Sequence, residues 1–171
     1  PVALHKMLAE LKTAGIDHLA LESSSHGLQQ YRMHGARIKA AGFTNLSRDH
    51  LDYHKTMENY LAAKMKLFSE LLPVSGISVI NADSPHAADI RAVCEKRGIR
   101  VMDYGRAARD LRIDNIDVLP HGQKIDLSIG GQSISVTLPL VGEFQTYNAL
   151  CALGLVAATG LDIKATAPLL E

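Results

Sequence analysis

Two short strings hold most of the residues that could do chemistry. Glu22-Ser23-Ser24-Ser25-His26-Gly27-Leu28 follows an apolar run, and Asn45, Arg48, Asp49, His50, Asp52 and His54 crowd into FTNLSRDHLDYH (43–54). A carboxylate at a strand end, such as Glu22, can hold a hard cation like Mg²⁺, which prefers oxygen ligands and keeps several waters. Alone, Glu22 would more often cap the following turn; with Ser24, Ser25 and His26 beside it, the functional role is favoured. His50 and His54 stand four apart, as on a zinc-binding helix face, but HExxH is absent and no third ligand has diagnostic spacing. A lone histidine is more often structural, yet the density of Asp49, His50 and Asp52 favours a metal or phosphate role. Lys64 sits in the Ala-rich turn YLAAK. Such a lysine usually snorkels to water; turned inward, its pKa falls and a neutral amine is freed that can react with CO₂. The sequence leaves both open. Arg32 suits bidentate contact with a carboxylate or phosphate, and a solvated charge is about as good a reading.

These residues need a scaffold. Residues 3–14 read as an amphipathic helix with Leu4, Met7, Leu8 and Leu11 on one face, closed by Gly15. Residues 16–21 read as a buried strand, and residues 40–44 as a second. Residues 56–72 predict a helix with Thr56 as its amino cap and Pro73 beyond its end. Ile77–Ile80 is a third strand, ending at Asn81-Ala82-Asp83. Pro85 opens a helix closed by Gly98, and Ile99–Asp103 is a fourth strand. This alternation predicts an α/β fold, a mostly parallel sheet with helices on both faces. Residues 111–138 add a small antiparallel β meander, broken at Pro120-His121-Gly122 and Gly130-Gly131. Residues 144–159 read as a closely packed helix. Open sheets of this kind bind ligands at the carboxyl ends of their strands, where both polar strings lie.

Bulk composition narrows the function. Lys+Arg and Asp+Glu both number 18, so the net charge of zero gives no support for a nucleic-acid or membrane-surface role. Hydrophobic residues at 47% and charged residues at 21% fit an ordinary globular domain. Cys94 and Cys151 fit no CxxC or zinc spacing and read as buried free thiols, which points weakly to a cytoplasmic setting. The longest apolar stretch is too short to span a membrane. Neither GxxxxGK[ST] nor GxGxxG occurs, so any loop cradling ATP phosphates is expected before Pro1.

Five strings in order, ESSSHGLQQYR (22–32), FTNLSRDHLDYH (43–54), YLAAK (60–64), INAD (80–83) and GEFQTYN (142–148), resemble the central domain of the Mur ligases. These are ATP-dependent amino-acid-adding enzymes of peptidoglycan synthesis, and the match is best to the branch that adds the third residue. The resemblance runs through nearly the whole chain, and its first two strings are highly specific. It implies a P-loop-type ATPase domain, of which residues 1–171 are a central fragment. The phosphate loop and an amino-terminal domain would lie upstream, and an amino-acid-selecting domain downstream. It implies ATP and Mg²⁺, a UDP-MurNAc-dipeptide substrate, and diaminopimelate (or lysine) as the added residue. It further implies that Glu22 and His50 ligate magnesium and that Ser24, Gln30 and Arg32 contact the UDP-muramoyl-dipeptide. Lys64 would become a carbamate, and Asn148 would lie near the adenine. Ser23 stands where an apolar residue is commoner in the family, Ser84 where a second Asp is common, and Gln145 where the first Asn is usual. Folylpolyglutamate- and cyanophycin-synthetase-like ligases are the related alternative, which Ser-Ser-His-Gly-Leu disfavours. A non-catalytic α/β binding module is the alternative of a different class.

Overall fold

The computed structural model describes residues 2–46 and 51–171. Helix α1 (Val2–Thr13) leads to a short α2 (Ser25–Gln29) and strand β1 (Ala40–Phe43); α3 (Leu51–His54) and α4 (Met57–Lys66) follow. Thr56 caps α4 as predicted, its hydroxyl accepting from the Asn59 N–H. The helix then widens into a π-type turn, Leu67–Leu71, which ends before Pro73. Strand β2 (Ile77–Asn81), helix α5 (Ala87–Lys96) and strand β3 (Arg100–Gly105) complete the parallel unit. The Arg97 guanidinium reaches back 2.8 Å to the Leu72 carbonyl, tying the end of α5 to the end of that widened turn. Strands β4 (Leu111–Leu119), β5 (Gly122–Ile129) and β6 (Gln132–Leu138) form antiparallel pairs, and α6 (Glu143–Ala157) and α7 (Ile163–Thr166) close the chain.

The antiparallel meander is present as expected and joins the parallel strands directly. All six strands form one sheet in the order β1-β2-β3-β4-β5-β6. The hinge between its halves is a two-residue parallel pairing, Tyr104↔Leu111 and Gly105↔Arg112. β2 is buried along nearly its whole length, as expected for a parallel strand covered on both faces. Val79 faces one core with Tyr104, Leu127, Leu150 and Leu153, whereas Ile80 faces the other with Phe43, Phe68, Ile90 and Cys94. Helix α6 approaches the first face very closely. A Cβ at Gly154 would lie 2.6 Å from Val79 Cγ1, and one at Gly42 would lie 2.7 Å from Cys151 Sγ. Both cysteines are buried free thiols, as their apolar surroundings predict.

One expected element is missing. Residues 16–21 form no strand, and Ile16, Leu19 and Leu21 stay 46%, 48% and 44% exposed. β1 is the edge of the sheet, and among the described residues no strand pairs with its outer side. A strand exists only through ladder bonds to a neighbour, so an apolar run without one remains irregular. No helix among the described residues is long and apolar enough to cross a membrane.

Candidate functional site

The carboxyl ends of β1, β2 and β3 open on one edge of the sheet, because the three strands run parallel. The Asn81 amide, at the end of β2, donates to the Thr44 carbonyl beyond β1 at 2.9 Å and accepts from the Asp83 N–H at 3.0 Å. The Asp83 carboxylate then takes the N–H groups of Arg106 and Ala107, beyond β3, at 2.6 and 2.8 Å. Its Oδ2 also accepts from the Tyr147 hydroxyl of α6 at 2.9 Å. Gly105 is required here: its φ is +123°, and a Cβ would sit 2.5 Å from Asp83 Oδ2. Burial, then the bond to Asp83, holds the Tyr147 hydroxyl pKa up at about 12, so it stays a donor.

The string from Glu22 to Arg32 lies against α4, which α2 contacts. Ser24 caps α2, its Oγ accepting from the Gly27 N–H at 3.1 Å. The exposed Arg32 guanidinium donates to Gln30 Oε1 at 2.6 Å, and Gln30 donates in turn to the Tyr53 hydroxyl at 3.3 Å. These groups thus form one polar surface built from both strings. Lys64 is half-buried, and burial lowers its pKa, while the negative charge of Glu22 acts in the opposite sense. The structure therefore brings Glu22 and Lys64 into electrostatic range. Lys64 Nζ also lies 6.0 Å from the centre of the Tyr60 ring.

His50 lies outside the described residues. His54 is buried. Its Nε2 lies 2.9 Å from Ser25 Oγ, and its ring stacks on Tyr60 with centroids 5.1 Å apart. That buried bond pins the first string to the second. Among the described residues no group of three His, Cys, Asp or Glu side chains is placed to hold a metal. Asn148 is exposed and donates to Gln145 Oε1 at 3.2 Å. It follows Tyr147 directly in α6. Tyr53, Arg106 and Tyr147 carry no spacing signal of their own; Tyr53 and Tyr147 could be suspected only from lying inside the polar strings.

A family model described as the Mur ligase middle domain matches residues 1–156. The chain belongs to that family. It is 48% identical over 166 residues to the UDP-N-acetylmuramoyl-L-alanyl-D-glutamate--2,6-diaminopimelate ligase of Bradyrhizobium diazoefficiens, covering 95% of this chain and 34% of that protein. The ligase of the same name from Zymomonas mobilis is 51% identical over 158 residues, covering 92% of this chain and 32% of that one. A solved structure of a ligase with this name superposes with a TM-score of 0.78 at 34% identity, over 88% of this chain and 32% of its own. The chain thus spans a minor part of the length of its relatives. The mostly parallel sheet is the α/β fold expected from the β–α alternation, apart from residues 16–21, and the family is the one that the five strings resemble.

Proposed function

We propose that this chain is the ATP-handling middle part of a ligase that adds meso-diaminopimelate to UDP-MurNAc-L-Ala-D-Glu. The observation that carries the reading is the half-buried Lys64 within electrostatic range of Glu22, on the helix α4 that packs against α2 of the Ser24–Gln30–Arg32 string. Its relatives' names supply the substrate. In this reading the phosphate loop and the amino-terminal domain precede the chain, and the domain that selects the amino acid follows it. ATP and the nucleotide precursor would be met in the cytoplasm.

The reaction transfers the γ-phosphoryl of ATP to the D-glutamate carboxylate, giving an acyl phosphate and ADP. The diaminopimelate amine then attacks the acyl carbon. The tetrahedral intermediate expels phosphate, and the amine loses its proton. Phosphoryl transfer of this kind depends on positioning and on neutralising charge more than on covalent help. Arg32, held by Gln30, and Ser24 would bind anionic or polar groups of the precursor. The exposed Glu22 carboxylate is a hard oxygen donor that fits Mg²⁺, so Glu22 with His50 would hold that ion, which screens phosphate charge when bound. Desolvation favours the neutral Lys64 amine. With CO₂ it forms an N–C bond, loses a proton to solvent and becomes a carbamate, exchanging a cation for an anion beside the metal position.

The experiment is phosphate release by the full-length protein with Mg·ATP, the UDP-dipeptide and meso-diaminopimelate. Release requiring all three is expected. Release with a folate acceptor instead, or ATP binding with no amide formed, would refute the reading.

A further inference from the structure

We infer that Tyr147 and Asp83 act as a positioning pair that sets the first turns of α6, and with them Asn148, against the base of the bound nucleotide; this rests on the ATP-ligase reading above. Helix α6 starts from Gly142 at φ +100° with no side-chain cap bond, so its opening turn lacks the usual local anchor. Its buried residues other than Thr146 lie further along, at Leu150, Cys151, Leu153 and Gly154. The buried Gln123 side chain holds the start of the helix, donating to the Gly142 carbonyl at 2.9 Å and accepting from the Thr146 hydroxyl at 3.1 Å, and two further polar links tie the face that carries Glu143 and Tyr147. Tyr147 donates to Asp83 Oδ2 at 2.9 Å, and Glu143 Oε1 accepts from Arg106 Nη2 at 2.7 Å. Both links end on the loops after β2 and β3. Asp83 cannot swing away, because the Arg106 and Ala107 N–H groups hold both of its oxygens and its own N–H is held by Asn81. Asn81 is anchored in turn on the Thr44 carbonyl, immediately before Asn45 and the Arg48–His54 string. One hydrogen-bonded chain therefore joins the polar string after β1 to the residue beside Asn148. Asp83, Arg106 and Glu143 are exposed, where such bonds add little to stability. Their number and convergence suit orientation better than folding.

The test uses the full-length enzyme and Tyr147→Phe, which removes one hydroxyl and keeps the ring. The KM and Kd for ATP should rise about fivefold, the size of one net hydrogen bond, with KM for the UDP-dipeptide and the melting temperature unchanged. In an Asn148→Ala background the same substitution should add nothing, because the pair acts through Asn148. Asp83→Asn should give the same split; where it fails to fold, Tyr147→Phe decides. An unmoved ATP Kd, equal changes in both substrates, or the same increment with and without Asn148 would overturn the inference. Titration of ATP binding needs no turnover. A protein that binds ATP but forms no amide would refute the ligase reading and still report on this pair.

Discussion

Asp103, at the end of β3, offers the sharpest quantitative test of how this edge of the sheet is built. It is 4% exposed. Its Oδ2 takes Arg91 Nη2 at 2.6 Å, and its Oδ1 takes the N–H groups of Arg109 and Asp110 at 2.7 and 3.0 Å. In Asp103→Asn the amide oxygen can keep both backbone donors, while the new NH₂ faces the Arg91 guanidinium. The loss is then one charge-assisted bond, about 1.5–3 kcal/mol. Arg91 is 36% exposed, so solvent shares its charge and the lower end applies, about 1.5 kcal/mol. Asp103→Ala also orphans the two N–H groups, at about 1 kcal/mol each, for about 3.5 kcal/mol in all. Burial pushes the Asp103 pKa up, but the Asp110 and Arg109 N–H groups and Arg91 outweigh it, and the net shift is downward. A carboxylate with a depressed folded pKa contributes stability that is present above its unfolded value of about 3.9 and is lost as pH falls through the folded value. The gap between wild type and Asp103→Asn in urea unfolding should thus be flat from neutral pH to about pH 5 and close below about pH 4. Equal costs for Asn and Ala, or a gap that widens in acid, would refute this account.

Three further outcomes follow from other contacts. Lys64→Ala should nearly abolish ligation by the full-length enzyme, with partial rescue by millimolar short-chain carboxylates, and wild-type turnover should fall when CO₂ and bicarbonate are stripped; near-normal turnover in the variant would sink the carbamate role. Ser23 Oγ is buried without a hydrogen-bond partner among the described residues, so Ser23→Ala should stabilise the chain by about 1 kcal/mol in urea unfolding, and a loss would mean the hydroxyl has a partner. Gly154→Ala gains about 1 kcal/mol of helix propensity but drives a Cβ to 2.6 Å from the buried Val79. Overpacking of about 1–3 kcal/mol should win, and a raised melting temperature would show that α6 sits less tightly on β2.

Much of this architecture was legible because its signals are local. Thr56 caps α4 through the next turn of the same helix, Gly98 ends α5 with a positive φ of +72°, and the turns at Pro120-His121-Gly122 and Gly130-Gly131 separate strands adjacent in the chain. The polar strings were legible for a related reason. Each is contiguous and follows an apolar run; the direction of β1 puts the second at the ligand-binding edge of the parallel sheet, while the first, which follows no strand, is held beside it by the contact of α2 with α4. The joining of β4 to β3 was not visible, because it rests on two residues whose pairing depends on how the loop between them turns.

What stayed hidden is the wiring between segments distant in sequence. Nothing in the spacing of His54 and Ser25 foretells a 2.9 Å buried bond, and the separation of Asp83 from Tyr147 has no periodic meaning. Residues 16–21 make the same point in reverse. Their apolar pattern states that they can be covered, but not by what, and hydrophobicity without a ladder partner leaves Ile16, Leu19 and Leu21 in solvent. Local pattern therefore specifies which residues reach the functional edge, while long-range hydrogen bonds specify how they are aimed. It follows that substitutions in the two polar strings should act on binding of their own ligands, whereas substitutions at Asp83 or Tyr147, which need touch no ligand, should act through the first turns of α6.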